Sequence, residues 1–404
     1  MNASQDTPAS LRPDTDVVAR AGEALWAAVR DGDEITASMV VLDLLEAGTD
    51  PVTALLDVVA PVQARVGAEW AANRLTVAQE HAATAINDRV IAALAQATRD
   101  SAAARGRSPV PVPAQGGPSL PEEPAAPGSR PPARPEPIAP SRGRITVACV
   151  DGEWHAFPAR LLGEVLRLDG WRVDFLGAHT PTAHLIHHLH QTGPSAVALS
   201  SSLPTHLPTA HAAITACQAI GVPVITGGKA FGPAGRYAHL LGADAWEPDA
   251  RAAARRLAEG LERPVAPPHQ AVDDLPHLID QEYTLVVKTR GDLVRETIAG
   301  LEKLYPPMRA YSAAQRRHTI EDIAHIVEFL AAALYVDDDE LFTSFLTWTA
   351  DILTARQVPV RSLVPALDVL EHRLIDFTRA GRVLRAGRAA LDARVPDHRD
   401  GKSE

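Results

Sequence analysis

Glu153-Trp154-His155 places a carboxylate two positions before an imidazole. At that spacing the acid can accept a hydrogen bond from one ring nitrogen. This sets the tautomer and basicity of the ring and leaves the other nitrogen free to bind a metal. Further along, Ser200-Ser201-Ser202-Leu203 and Gly227-Gly228 offer hydroxyl groups and backbone that a ligand can approach closely. Upstream, Trp70 is followed after nine residues by Glu80-His81. An indole there gives a flat apolar wall, and the acid–imidazole pair gives polar contacts beside it. Taken singly, these motifs also fit a turn, a bundle core and a solvated helix face. Their joint order along the chain is what points to one site.

The elements around them are consistent with such a site. Strand candidates are 145–150, 171–176, 196–200, 223–226 and 243–246, with helical patterns around 160–168, 182–191, 209–219 and 237–241. Strands alternating with helices predict a doubly wound, flavodoxin-like parallel sheet over 144–262. Ligands of such sheets bind at the carboxyl ends of strands. Glu153–His155, Ser200–Leu203 and Gly227–Gly228 all fall at those ends.

Before the sheet, 17–100 reads as a bundle of about four helices. Leu55, Val59, Val62 and Val66 recur at helical spacing, and Thr76 with Gln79 makes a capping-box pattern. Segment 1–16 is polar and is expected to be disordered. Segment 101–143, rich in Pro and Ala, reads as a flexible linker. A second connector covers 263–280. An all-α domain then fills 281–395, with long amphipathic segments at 285–304, 313–336, 340–357 and 363–380 and a short tail at 396–404. Tyr305-Pro306-Pro307 and Val358-Pro359 are the clearest breaks between them.

Composition narrows the function classes. A net charge of −11 opposes a nucleic-acid surface, which needs a basic face. Two cysteines, Cys149 and Cys217, exclude a disulfide scaffold, and both fall in apolar segments. No apolar run is long enough to span a bilayer, and the N-terminus lacks a signal-peptide core, so a cytoplasmic protein is expected. No catalytic constellation is evident, and an enzyme is not expected.

The tryptophan with its Glu-His pair, the acid–x–His triplet, the serine run and the glycine pair, in that order, resemble the cobalamin-binding modules of methionine synthase and of the light-sensing cobalamin repressors. The resemblance covers roughly 17–262. It implies that the nucleotide base leaves cobalt and that His155 takes the lower axial position, with Glu153 behind it. Ser200, Ser202, Leu203, Gly227 and Gly228 would line the slot for the displaced tail. Trp70, Glu80 and His81 would contact the upper ligand, as in the adenosylcobalamin light sensors. The chain departs from the pattern in three places. Pro158 stands where glycine is usual after the metal histidine, Ser202 stands where leucine is usual, and Ala71 replaces a histidine that follows the tryptophan. Only 1–16 precedes the bundle, so a DNA-binding helix-turn-helix is not expected.

The order of bundle, sheet domain and helical C-terminal domain is similar to that of the photocobilins, in which a cobalamin module is joined to a globin-like domain that binds biliverdin. The resemblance implies an adenosylcobalamin light sensor whose oligomeric assembly responds to light, with a downstream effector that the chain does not identify. Arg309, Tyr311, His318, His325 and Trp348 are the candidate bilin contacts. Tyr305, Phe329, Tyr335, Phe342 and Phe345 add aromatic surface, and Arg316 and Arg317 are further partners for propionates. No cysteine follows Cys217, so a bilin there would be held without a thioether. Rival readings are a corrinoid carrier in methyl transfer, a globin-type heme sensor using His318, His325 or His372, and a cobalamin storage or delivery protein.

Overall fold

The computed structural model describes residues 15–105, 142–264 and 271–394. The expected N-terminal disorder, most of the first linker, part of the second and the tail lie outside these residues.

The N-terminal bundle has four rods. They are α1 (Thr15–Asp31), α2 (Glu34–Glu46), a composite rod over 51–71, and α5 (Val77–Arg105). The third rod begins as α3 (Pro51–Thr53), passes through a π-helical segment, Ala54–Val59, and continues as α4 (Ala60–Ala71). Side chains start these helices. Asp33 accepts the Thr36 amide at 3.0 Å and Asp50 accepts that of Thr53 at 3.0 Å. Thr76 and Gln79 form the reciprocal pair expected ahead of α5, with bonds of 3.2 and 2.9 Å. Leu55, Val58, Val59 and Val66 are fully buried against Leu25, Ile91 and Leu94.

The sheet is parallel, in the order β2-β1-β3-β4-β5. Its strands are β1 (Arg144–Cys149), β2 (Arg172–Gly177), β3 (Ala196–Ser200), β4 (Val224–Gly227) and β5 (Ala245–Trp246), joined by α6 (Phe157–Leu168), α7 (Thr182–Thr192), α8 (Leu207–Ala219) and α9 (Arg236–Leu240), with α10 (Ala250–Glu259) after β5. The order reverses between β1 and β3, and at this point their carboxyl ends diverge and leave a crevice.

The sheet separates two cores. On one side the bundle, α6 and α10 pack together, and Arg251 of α10 makes a bidentate pair with Asp57 of the bundle at 2.9 and 2.6 Å. On the other side α7 and α8 share one continuous core with the C-terminal helices. Those are α11 (Ala271–Asp274), α12 (Glu282–Leu304), α13 (Ala313–Val336), α14 (Asp339–Ala355), α15 (Val364–Arg373) and α16 (Thr378–Asp392).

Two expectations need correction. The described part of 263–280 is no loose connector. Leu275 and Leu278 are buried, His277 Nε2 lies 2.9 Å from the Tyr335 carbonyl, and Asp280 pairs with Arg379 at 2.6 Å. The single helix expected over 363–380 is two helices. The buried Glu282 carboxylate accepts the amides of Arg379 and Ala380 at 3.1 and 2.8 Å, and so starts α16 from a distant part of the chain. Among the described residues, no helix is long and apolar enough to cross a membrane.

Candidate functional site

Glu153 is the centre of the crevice at the sheet's carboxyl edge. It sits on the loop after β1 and is fully buried. One carboxylate oxygen accepts the His155 amide at 2.8 Å and lies 2.6 Å from His155 Nδ1. The other accepts the amides of Ser202 and Leu203 at 2.6 and 3.2 Å and the Ser201 hydroxyl at 3.3 Å, and lies 3.4 Å from His206 Nδ1. Burial alone would raise this carboxyl. The bonds from His155, His206 and the backbone prevail and hold it far below the ordinary carboxylate range. It is therefore an anion at any physiological pH.

The consequence falls on His155. With Nδ1 turned to Glu153, the ring presents Nε2 outward, and its side chain keeps 58% of its exposure. The hydrogen bond to Glu153 raises its pKa against the opposing effect of burial, and the charges of Glu153 and Glu80 add to the rise. The loop that carries it is pinned. Trp154 stacks on His179 with centroids 4.9 Å apart, and the His179 amide donates to the Glu153 carbonyl at 2.8 Å. Pro158 fits within the first turn of α6 because proline is tolerated there.

The slot residues are placed as follows. Ser200 ends β3, nearly buried, in register with Gly227 on β4. Ser202 and Leu203 act through backbone amides on Glu153. The Ser201 hydroxyl joins them on Glu153 at 3.3 Å, and Ser201 is not among the residues singled out from the sequence. Its signal was available, as the middle of the serine run. His206 was also missed, and only the fold brings it to Glu153. Gly228 has φ +103°, and a Cβ there would lie 2.2 Å from the Ser201 carbonyl oxygen. At this position glycine is required by the chain's own packing of β4 against the serine loop.

The bundle stands over this edge, since α5 packs against α6 directly after His155. Glu80 is half-buried in the first turn of α5, close enough for its charge to act on His155, whereas His81 is 76% exposed. A polar chain runs from Glu80 into the bundle. Thr84 donates to Glu80 at 3.0 Å, Gln63 to Thr84 at 2.8 Å, and the fully buried Asn87 to Gln63 at 2.8 Å. Gln63 and Trp70 are seven apart and share a face of the 51–71 rod. Trp70 is half-buried and lies 6.4 Å, centroid to centroid, from Trp348 of α14.

The candidate bilin contacts are spread over the turn before α13 (Arg309, Tyr311), α13 (His318, His325) and α14 (Trp348). Arg309, His318 and His325 are exposed, and His318 lies 3.2 Å from Glu321. Tyr311 is half-buried. Trp348 faces the bundle. Tyr335, Phe342 and Phe345 are core, and Phe329 stacks on Phe345 at 3.8 Å. A groove of about 450 Å³ between α12 and α15 is lined by Gly300, Lys303, Val369, His372 and Arg373, and contains none of the five.

The donor set suits a metal that brings most of its ligands with it. It offers one outward imidazole nitrogen, backed by a buried carboxylate, at the switch point of a parallel sheet. Comparison with known proteins agrees. Residues 21–95 and 143–258 each match a family described as a B12 binding domain. No curated protein matches the chain. Among solved structures, the chain is similar to the monomethylamine corrinoid protein of Methanosarcina barkeri, at 14% identity and TM-score 0.43, covering 60% of this chain and 98% of that one. It is also similar to a cobalamin-binding protein from Desulfitobacterium hafniense, at 18% identity and TM-score 0.30, covering 61% and 98%.

Proposed function

We propose that the cobalamin-binding module formed by the bundle and the sheet domain holds adenosylcobalamin with its own base displaced and His155 beneath cobalt, and that the chain is a light sensor. The observation that carries the reading is the Glu153–His155 pair, which aims an exposed Nε2 out of the crevice while the carboxylate keeps the other nitrogen protonated. Adenosylcobalamin, when bound, supplies a cobalt–carbon bond that visible light breaks.

The rest of the work falls to the chain. His155 offers the Nε2 lone pair of its neutral ring, and Glu153 holds the proton at Nδ1 and so fixes the ring's orientation. Ser200, Gly227 and Gly228 border the path assigned to the nucleotide tail. Trp70 supplies an indole wall above, and Glu80, held by Thr84, supplies an acceptor for polar groups of the upper ligand. Losing that ligand removes a packing partner of Trp70, which biases the cap between two arrangements. The reading extends to a non-covalent biliverdin in the C-terminal domain, supported by its aromatic content alone. It assigns no catalytic turnover to this chain.

The test is reconstitution with adenosylcobalamin in the dark, followed by green light, with absorption and molecular size recorded before and after. A light-dependent change in both supports the sensor. Stable spectra in light, with methylcobalamin demethylated by a partner enzyme, would instead establish a methyl carrier. A broad far-red band on adding biliverdin supports the second chromophore, and a heme Soret band opposes it.

A further inference from the structure

Trp70 is the residue to which the resemblance assigns the upper ligand, yet part of its surroundings comes from the C-terminal domain. Trp348 of α14 lies 6.4 Å from it, with ring planes at 38°. The Arg356 guanidinium sits 5.4 Å from the Trp70 ring centroid. Trp348 keeps 48% of its exposure despite this contact. An indole with an aromatic neighbour and half its surface open is not filling a core.

The placement of α14 is fixed from both ends. At its start, the Asp338 carboxylate accepts the Tyr237 hydroxyl at 3.0 Å and pairs with Arg236 at 2.9 Å. Both partners follow the Gly227–Gly228 turn. Ten residues on, roughly 15 Å along the axis, Trp348 reaches the bundle. The preceding helix, α13, packs against the short 204–206 turn that brings His206 to Glu153. The C-terminal domain thus brackets the carboxyl edge of the sheet, touching the 204–206 turn, the start of α9 and the cap.

From this geometry we infer that Trp348 and Arg356 belong to the corrinoid site. With Trp70 they form the outer wall of the space for the upper ligand, and docking of the C-terminal domain responds to which ligand is held there. This rests on the cobalamin reading above. A large ligand ending in a planar base meets the paired indoles and the guanidinium, because aromatic faces and a cation over a ring favour such a partner. A methyl group or water is too small to reach them.

The experiment compares wild type, Trp70→Phe, Trp348→Ala, Trp348→Phe and Arg356→Gln. Near-ultraviolet circular dichroism of the cofactor-free protein reads the indole pair directly. Its aromatic signal falls in Trp348→Phe and Trp70→Phe to a similar extent, and far-ultraviolet spectra confirm that both variants fold. Corrinoid affinity is then measured in the dark. Trp348→Ala weakens adenosylcobalamin about tenfold and leaves methylcobalamin and hydroxocobalamin within twofold. Arg356→Gln moves the same ratio in the same direction. An unchanged ratio, or equal weakening of all three corrinoids, overturns the assignment while leaving the cobalamin reading intact. Failure of wild type to take up any corrinoid overturns both.

Discussion

A buried carboxylate with five hydrogen-bonding neighbours has more to lose than a surface one. Replacing Glu153 by Ala leaves the amides of Ser202 and Leu203 without their acceptor, at roughly 1–3 kcal/mol for each group left unsatisfied. A urea titration of the cofactor-free protein should show this loss. The pH dependence follows from the direction of its shift. Its folded pKa is depressed, so its stabilisation is fully present above the ordinary carboxylate range near about 4 and is lost as pH falls below it. Glu153→Gln should remove that acid-dependent part, and an acid melt compared with wild type checks it. His155→Ala should behave differently, because the side chain is largely exposed. The fold persists, whereas hydroxocobalamin affinity drops at least about tenfold and its absorption bands revert to those of the free corrinoid, as a titration would show. The acid and the imidazole were legible in the sequence because their coupling is local. His206 was not, since its role depends on how two distant loops close over one carboxylate.

Elements were legible where their signals are local. The strands were found within a residue or two because buried parallel strands are short apolar runs between breakers. The start of α5 was found because its cap lies within four residues. The break between α15 and α16 was invisible, because its cause is Glu282, nearly a hundred residues earlier. Glu282→Ala should therefore cost about 1–3 kcal/mol, the range for a charged acceptor lost from buried amides, and exchange of the Arg379 and Ala380 amides should quicken in a hydrogen-exchange experiment. Gly228→Ala should destabilise by more than about 1 kcal/mol, since the left-handed backbone and the Ser201 carbonyl both oppose a Cβ. A thermal melt of this variant would show it.

At the scale of the whole molecule, the sheet is common to both cores, and the C-terminal helices continue the core of α7 and α8. Calorimetry should accordingly find the sheet and the C-terminal helices unfolding in one transition rather than two. The Arg251–Asp57 pair across the bundle contact is about 40% exposed on each side. Asp57→Asn should cost less than about 1 kcal/mol, because solvent screens such pairs. That the third domain reaches the first could not be read in advance, since neither Trp70 nor Trp348 carries a local mark of its partner. One further consequence belongs to the π-helical segment at Ala54–Val59, eleven residues before Trp70. Wider winding there shifts the phase of everything after it, and each residue of phase amounts to about 100° around the axis. Deleting a single residue within 54–59 would swivel the far end of the rod and aim its indole away from α14, so an insertion–deletion series through this stretch serves as a rotary adjustment for the roof.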